Sequence, residues 1–546
     1  MPALNKQHSI GYLLLAASLL GWAICLAVAS VRLRGLLINS TLLAGGTLLI
    51  SLPLGTFLGV AIAKTSLWGR GLLQRSLIGL LFVPLYVQAA AWQAVAGQMG
   101  WLADPNWLTG WCGAIWVHGL AAIPWVVLFV STTLRKVPRE FEEEALQDAA
   151  TWQVLLHVSL QRAVAGIVAA ALWISVLCFS EIAVTDLFQV RTFAEEIYTA
   201  ASLGTLSGVA LQPAAEAIDL AEVPQFVVSE LRLGTLAVIL LVSASLATIW
   251  LWVPVTDFVS PATSWIWQLG RGGWSLALVA WLLTAMVVVA PLLGLIGKAG
   301  ARVTPGDGEV VRDWSATKAA TLVMSSPWQH RREFGWSAAI GGVATMAATA
   351  TAIFLAWGLR TRRLPKLPTA LLLSLGFAIP GPLLGVWLIR CLNQPPDSIF
   401  STLTWCYDHT ILAPVLAQFL RSLPLATLIL AAQFASVPQD VLDSAQSEGA
   451  GWCRQLLSIA LPWSWPAVTA AACMALIVSL SDLAATLLVV PPGVTPLSVR
   501  IFGLLHYGAE DRVSALCLVL ALMLGVAATI AWQLPQLLNR WRNREH

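Results

Sequence analysis

The sequence predicts an all-α polytopic membrane protein of about twelve transmembrane helices in two parallel six-helix repeats. Composition, a succession of long apolar runs and an internal repeat predict it. Of 546 residues, 58% are hydrophobic and only 11% are charged, against roughly a quarter charged in a soluble protein. So few charges cannot cover a water-solvated surface, so lipid must solvate most of the chain. The net charge of +3 is too small and too dispersed to attract a polyanion, and nucleic acid is not an expected partner. The eight cysteines stand singly, without the spacings of zinc sites or redox motifs. Most fall in apolar runs as packing residues; Cys391 and Cys406 flank one short connection and leave open a free pair or a disulfide.

A helix needs about 20 mainly apolar residues to cross roughly 30 Å of hydrocarbon. Such segments lie near 10–31, 37–62, 72–94, 112–134, 165–187 and 233–254, then near 274–296, 336–357, 369–389, 411–433, 466–488 and 513–533. The runs are continuous, not alternating, so a barrel is excluded. In the first, Lys6 and His8 precede an apolar stretch ending Leu26-Ala27-Val28-Ala29. That ending imitates a cleavage site, but the stretch is too long for a signal peptide and an uncleaved span is expected. Trp68, Trp101, Trp107, Trp111, Trp252, Trp274, Trp336 and Trp532 fall near segment ends, as an interfacial aromatic belt requires. Arg360, Arg362, Arg363 and Lys366 in one short connection, with Arg540, Arg542 and Arg544 in the tail, place both termini in the cytoplasm by the positive-inside rule.

The repeat is read by comparing IPWVVLFVSTTLRKVPREFEEEALQDAATW, 123–152, with LPLATLILAAQFASVPQDVLDSAQSEGAGW, 423–452. At a constant offset of 300, Pro124 answers Pro424, Pro138 answers Pro438, Glu143 answers Asp443, Asp148 answers Glu448 and Trp152 answers Trp452. Ser180-Glu181 and Thr185 answer Ser481-Asp482 and Thr486 at 301, and Phe82 and Pro84 answer Phe377 and Pro380 near 296. Chance likeness of apolar segments does not explain matched prolines, acids and tryptophans in polar stretches. Six spans per repeat, an even number, give both repeats the same orientation, divided as 1–260 and 261–546.

Between the fourth and fifth spans of each repeat, near 138–160 and 438–462, lies an amphipathic segment. It begins with Pro138, Glu142, Glu143 and Glu144, or with Pro438, Asp440 and Asp443, and negative charge suits a helix N-terminus. Ala149-Ala150 and Gly449-Ala450-Gly451 follow, small enough for a second backbone to approach. Each segment reads as a surface helix able to dock a partner.

Charges inside spans are the other candidates, because an acid at membrane depth is costly unless it lines a path or has a partner. Ser180, Glu181, Thr185, Asp186, Ser481, Asp482 and Thr486 form that set, with Arg421 of opposite sign; they either line the path or join helices through hydrogen bonds between the repeats. Pro84, Pro124, Pro380 and Pro424 read as helix kinks or gating hinges. The external connection 188–232 carries Glu195, Glu196, Glu216, Asp219, Glu222 and Glu230, and is either a solvated loop or a docking face for a delivery protein. His118, His157, His409 and His506 lack metal-ligand spacing, so no metal site is expected. No G-x-x-x-x-G-K-[ST] phosphate loop occurs, so the chain is not an ATPase.

DSAQSEGAGWCRQLLSIALP, 443–462, resembles the signature loop of ATP-binding-cassette importer permeases. Asp443, Ser444 and Ala445 stand for its E-A-A, and Gly449, Ile459, Leu461 and Pro462 fall in register. The first segment fits less closely, with Ala149 where Gly is expected, Leu160-Gln161 for Leu-Pro, and one residue fewer. The resemblance implies that these loops form coupling helices contacting an ATPase through Glu143, Glu144, Ala145, Asp148, Ala149 and Ala150, and through Asp443, Ser444, Ala445, Gly449, Ala450, Leu461 and Pro462. FSEIAVTDLFQVRTFAEEIY, 179–198, and SDLAATLLVVPPGVTPLSVRIFGLLHYG, 481–508, are similar to segments of fused twelve-span ferric-iron permeases. Thiamine, polyamine and phosphonate permeases share much of the pattern.

The resemblance implies a type I permease subunit of the bacterial inner membrane with no catalytic residue and no cofactor of its own. It also implies two copies of an ATPase subunit that uses the ATP, and an extracytoplasmic binding protein that delivers the cargo. The rival from another class is a proton-coupled secondary transporter with Glu181 and Asp482 as carriers; it leaves the repeated surface helices unexplained. A membrane enzyme or receptor is disfavoured by the lack of a catalytic constellation.

Overall fold

The computed structural model describes residues 16–97, 108–202, 225–252, 265–270, 273–305, 310–394, 399–507 and 510–542. Among them, eight helices are long and apolar enough to cross a membrane: Val31–Lys64, Gly110–Leu134, Thr151–Ser180, Gly273–Gly300, Arg331–Arg360, Leu412–Ala435, Trp452–Ser481 and Glu510–Ile530. Two more spans arise if each bent pair counts as one: Arg70–Leu80 with Leu85–Ala96, bent by 106°, and Pro368–Gly376 with Gly381–Leu392, bent by 99°. Ala16–Val28 and Gly234–Leu246 are shorter apolar helices at the expected first and sixth segments. The chain is thus an all-α multi-pass membrane protein. Leu49, Leu240, Leu278, Leu372 and Leu522 point outward, each more than half exposed, as lipid-facing side chains do.

Three expectations need correction. The third and ninth segments are broken, not continuous. The fifth and eleventh spans begin at Thr151 and Trp452, well before the expected 165 and 466, because each runs unbroken through a π turn, Leu155–Ser159 or Leu456–Ala460. The connection expected at 297–335 is largely ordered secondary structure. The helix ends at Gly300, strands Ala301–Pro305 and Val310–Trp314 pair antiparallel, and the helix Ala316–Gln329 leads into Arg331–Arg360.

The same order of elements occurs twice. Val31–Lys64, a bent pair, Gly110–Leu134, Arg139–Asp148, the π-bulged span, Ala183–Leu187 and Phe193–Ser202 are followed later by Arg331–Arg360, a bent pair, Leu412–Ala435, Gln439–Ser447, a second π-bulged span, Thr486–Val489 and Leu497–His506. In the first series Val31–Lys64 lies along Gly110–Leu134, as Arg331–Arg360 lies along Leu412–Ala435 in the second. Gly55 lets the first pair close: a Cβ there would sit 2.4 Å from Val126. The two series interlock. Gly273–Gly300 packs on Leu85–Ala96, and Gln225–Trp252 packs on Lys366–Ala378 as well as on Leu160–Ser180. One apolar core, with Tyr86, Val87, Ala183, Leu295, Ile501 and Phe502, draws on both series.

Candidate functional site

The first candidate region is the pair of surface helices, Arg139–Asp148 and Gln439–Ser447. These are shorter than the expected 138–160 and 438–462, since the remaining residues already belong to the next span. Pro138 and Pro438 occupy the N-cap positions, and Glu140, Glu142 and Asp440 lie in the first turns. Glu143 is half-buried and accepts from Arg139 Nε at 2.6 Å, while Asp443 is exposed and accepts from Gln439 Nε2 at 2.9 Å. Glu144, Asp148, Ala150, Ser444 and Gly449 are exposed, and Ala145, Ala149, Ala445 and Ala450 half-buried. Ala145, Ala149, Gln153, Val154, His157 and Val158 line a shallow hollow of about 250 Å³. Leu461 and Pro462 lie outside the surface helix, at the start of the stretch Leu461–Ser481 beyond the π turn.

The missing residue of the first segment falls in the turn after the helix. Gly449 adopts φ +81°, a left-handed conformation that closes the helix through Ala450 N–H and Ala445 C=O at 2.9 Å. The first segment turns instead through extended Ala149 and Ala150. Thr151, not Trp152, therefore matches Trp452 in space. Trp152 is 61% exposed, whereas Trp452 donates to Thr361 Oγ1 at 3.0 Å and packs on Trp357 and Arg363.

The second region lies where the π-bulged spans end. Glu181 Oε1 accepts from the N–H groups of Ala183 and Val184 at 2.6 and 3.1 Å, and Asp482 Oδ2 accepts from Thr486 N and Oγ1 at 3.0 and 2.6 Å. Both carboxylates hold the N-terminus of the following short helix, where backbone donors and the helix dipole favour an anion. His118 Nε2 lies 3.4 Å from Glu181 Oε2. In the second series Gln418 takes the position of His118 and approaches Thr486 Oγ1 at 3.4 Å. Ser180 Oγ donates to Leu177 C=O at 3.2 Å and Thr185 Oγ1 to Ile182 C=O at 3.1 Å; the Ser481 hydroxyl is buried. Of the set, Asp186 makes the polar bridge between the series, its Oδ2 lying 3.0 Å from His506 Nε2.

Pro84 and Pro380 are not kinks inside helices; each is the N-cap after a break. The carbonyls at these breaks are satisfied by different residues. Gln88 Nε2 donates to Val83 C=O at 3.0 Å, and the buried Arg421 donates through Nη2 to Ile379 C=O at 2.9 Å. Pro124 and Pro424 do lie inside helices. On the 188–232 connection, Glu196 is paired with Arg32, and Glu195 accepts from Thr199 at 2.8 Å; Glu216, Asp219 and Glu222 lie outside the described residues. Cys391 and Cys406 are both free. Among the described residues no group of three or more His, Cys, Asp or Glu is placed to hold a metal ion.

Two residue pairs escape sequence reading. Lys64 and Glu142 form a buried ion pair at 2.7 Å; in the second repeat Leu442 takes the place of Glu142, and the matching long helix ends at Arg360, which donates to Phe434 C=O and Val437 C=O. Arg32 pairs with Glu196 in the first repeat, and Glu333 pairs with Arg500 in the second, at positions one helical turn apart in register. The partners of each pair lie far apart in sequence, so no local motif announces them.

Residues 348–542 match the model of a family described as the binding-protein-dependent transport system inner membrane component. Over 141 residues the chain is 24% identical to the putrescine transport system permease protein PotI of Escherichia coli K12, and equally to that of E. coli O6:H1 strain CFT073. The aligned stretch is 26% of this chain and 50% of each relative, so the chain spans about half the length of the curated relatives it matches.

Proposed function

We propose that the chain is the transmembrane permease of an ATP-driven, binding-protein-dependent importer. The observation that carries this reading is the duplicated surface helix, Arg139–Asp148 and Gln439–Ser447, the second of which lies inside the matched family region. On this reading each helix inserts into one of two ATPase subunits on the cytoplasmic side of the bacterial inner membrane. Closure of the ATPase dimer then rocks the interlocked repeats between outward and inward openings. The chain supplies both repeats, so one copy serves two ATPases, and both termini are cytoplasmic.

The cargo is a small cation. Ferric iron is the cargo implied by the resemblance at 179–198 and 481–508; the named function of PotI favours a polyamine. Glu181 and Asp482 accept backbone N–H groups of the short helices that follow them, which supports a structural role for both over cargo binding. This also argues against their use as proton carriers. Affinity purification of the tagged chain from its own membranes, with identification of co-eluting subunits, tests the reading. An ATP-binding-cassette ATPase in about twofold excess over the permease is expected; its absence under conditions that preserve the folded chain would overturn the proposal. Uptake of radiolabelled ferric iron and putrescine by the reconstituted complex separates the cargoes.

A further inference from the structure

Glu142 stands one position before Glu143, and its side chain turns inward, away from the face on which Glu144 and Asp148 are exposed. It is fully buried against the ammonium of Lys64, with Nζ 2.7 and 2.8 Å from its two oxygens. Ser159 on the π turn donates to the same carboxylate, and so does the backbone N–H of Trp265, at 3.3 Å. From Trp265 the chain runs parallel to residues 64–66. Trp267 N–H donates to Lys64 C=O at 2.7 Å, Ser66 N–H to Trp267 C=O at 2.9 Å, and Leu269 N–H to Ser66 Oγ at 3.0 Å. The Arg139 guanidinium lies 4.7 Å from the Trp265 ring centroid. Residues 265–269 join the two repeats and lead directly into Gly273–Gly300, which packs on the bent pair of the first repeat.

The second repeat has no carboxylate at the matching position of its surface helix. Leu442 is buried with Leu456 and Ala460 at the corresponding π turn, and Arg360, at the end of the matching long helix, donates to the carbonyls of Phe434 and Val437 instead of to a carboxylate. A buried ion pair is commonly no more stabilising than apolar residues of similar volume, and the second repeat places a leucine where the first has Glu142. What a leucine cannot do is accept the N–H of Trp265.

We propose that Glu142, held by Lys64, is a positioning residue that fastens the connection between the repeats to the first surface helix. That helix and the span Gly273–Gly300 then move as one body, so the first coupling helix drives both repeats. The mechanical part of this inference rests on the permease reading; the fastening does not.

The test uses the full chain and two double variants. Lys64→Leu with Glu142→Leu removes the charges and the acceptor; Lys64→Met with Glu142→Gln removes the charges but keeps a carbonyl for Trp265. Hydrogen exchange of the peptide spanning 262–272, measured in detergent without any ATPase, should be at least about tenfold faster in the leucine variant and close to wild type in the Met/Gln variant. Unchanged exchange in the leucine variant would overturn the fastening. In proteoliposomes containing ATPase and binding protein, the leucine variant should move about threefold less cargo per ATP hydrolysed, and the Met/Gln variant should recover most of that loss. Faster exchange with undiminished coupling would overturn the mechanical role. If wild-type chain shows no ATP-driven uptake at all, the permease reading fails, and the exchange result still decides the fastening.

Discussion

Arg32 and Glu196 on one side, and Glu333 and Arg500 on the other, hold the helix after each break to the start of a long span. A backbone bond accompanies each pair: Phe193 N–H donates to Ser40 Oγ at 3.0 Å, and Leu497 N–H to Ser337 Oγ at 2.7 Å. Each repeat thus ties the same two elements together by an ion pair and a serine hydroxyl, with the acid on the short helix in the first and on the long span in the second. Arg32 is largely exposed, with 60% of its side chain accessible, so Glu196→Ala should cost only about 1 kcal/mol. Arg32→Glu combined with Glu196→Arg should recover most of this, as read by thermal unfolding in detergent. Beyond the end of the Gly110–Leu134 span, burial pushes Lys136 down to about 8 from its ordinary 10.5. Its folded pKa is depressed, so between those values the unfolded chain binds the proton and the folded chain does not. Lys136 therefore penalises folding in full below pH 8, and the penalty is lifted as pH rises toward 10.5. Lys136→Met should raise the unfolding temperature near pH 7, and its advantage should shrink by pH 10.

At the scale of elements, the two surface helices and the capped short helices make separable predictions. Glu144→Arg with Ser444→Arg reverses or adds charge at two exposed helix positions and should abolish retention of the ATPase on immobilised permease while the chain still inserts and folds. Gly449 is a poor site for such a test, because its positive φ adds backbone strain of order 1 kcal/mol to any side chain. Glu181→Gln with Asp482→Asn keeps a carbonyl oxygen for the capped N–H groups and loses only charge. Transport should persist at about a third or more of wild type, with stability lowered by about 1–2 kcal/mol; loss of uptake with intact ATP hydrolysis would assign these acids to the cargo path instead.

Much of this level was legible in the sequence, because prolines, acids and small residues recur at fixed spacing. The helix breaks at Pro84 and Pro380 were visible as prolines but not as breaks, since their carbonyl partners are set by packing in three dimensions; Arg421 is 42 positions from Ile379. The early starts of the fifth and eleventh spans were hidden by Gln153 and His157, and by Arg454 and Gln455, polar residues that read as loop. The Lys64–Glu142 pair joins residues 78 apart, and neither is part of a motif.

For the whole molecule, the interlocking of Gly273–Gly300 and Gln225–Trp252 with the opposite repeat means that the repeats cannot separate without exposing apolar core. Expression as two pieces, cut within 253–264, should still yield one complex that co-purifies. Residues 143 and 443 should react with a membrane-impermeant thiol reagent from the same side, opposite to residue 313 in the strand pair, when each carries the single cysteine of the chain. The measurement that bears most directly on the central claim is cargo uptake by proteoliposomes containing the chain, its ATPase and its binding protein, with ATP supplied to the ATPase side or with a pH gradient alone. Accumulation that requires ATP and the binding protein, and is indifferent to the gradient, is the predicted result; accumulation driven by the gradient without ATP would contradict it.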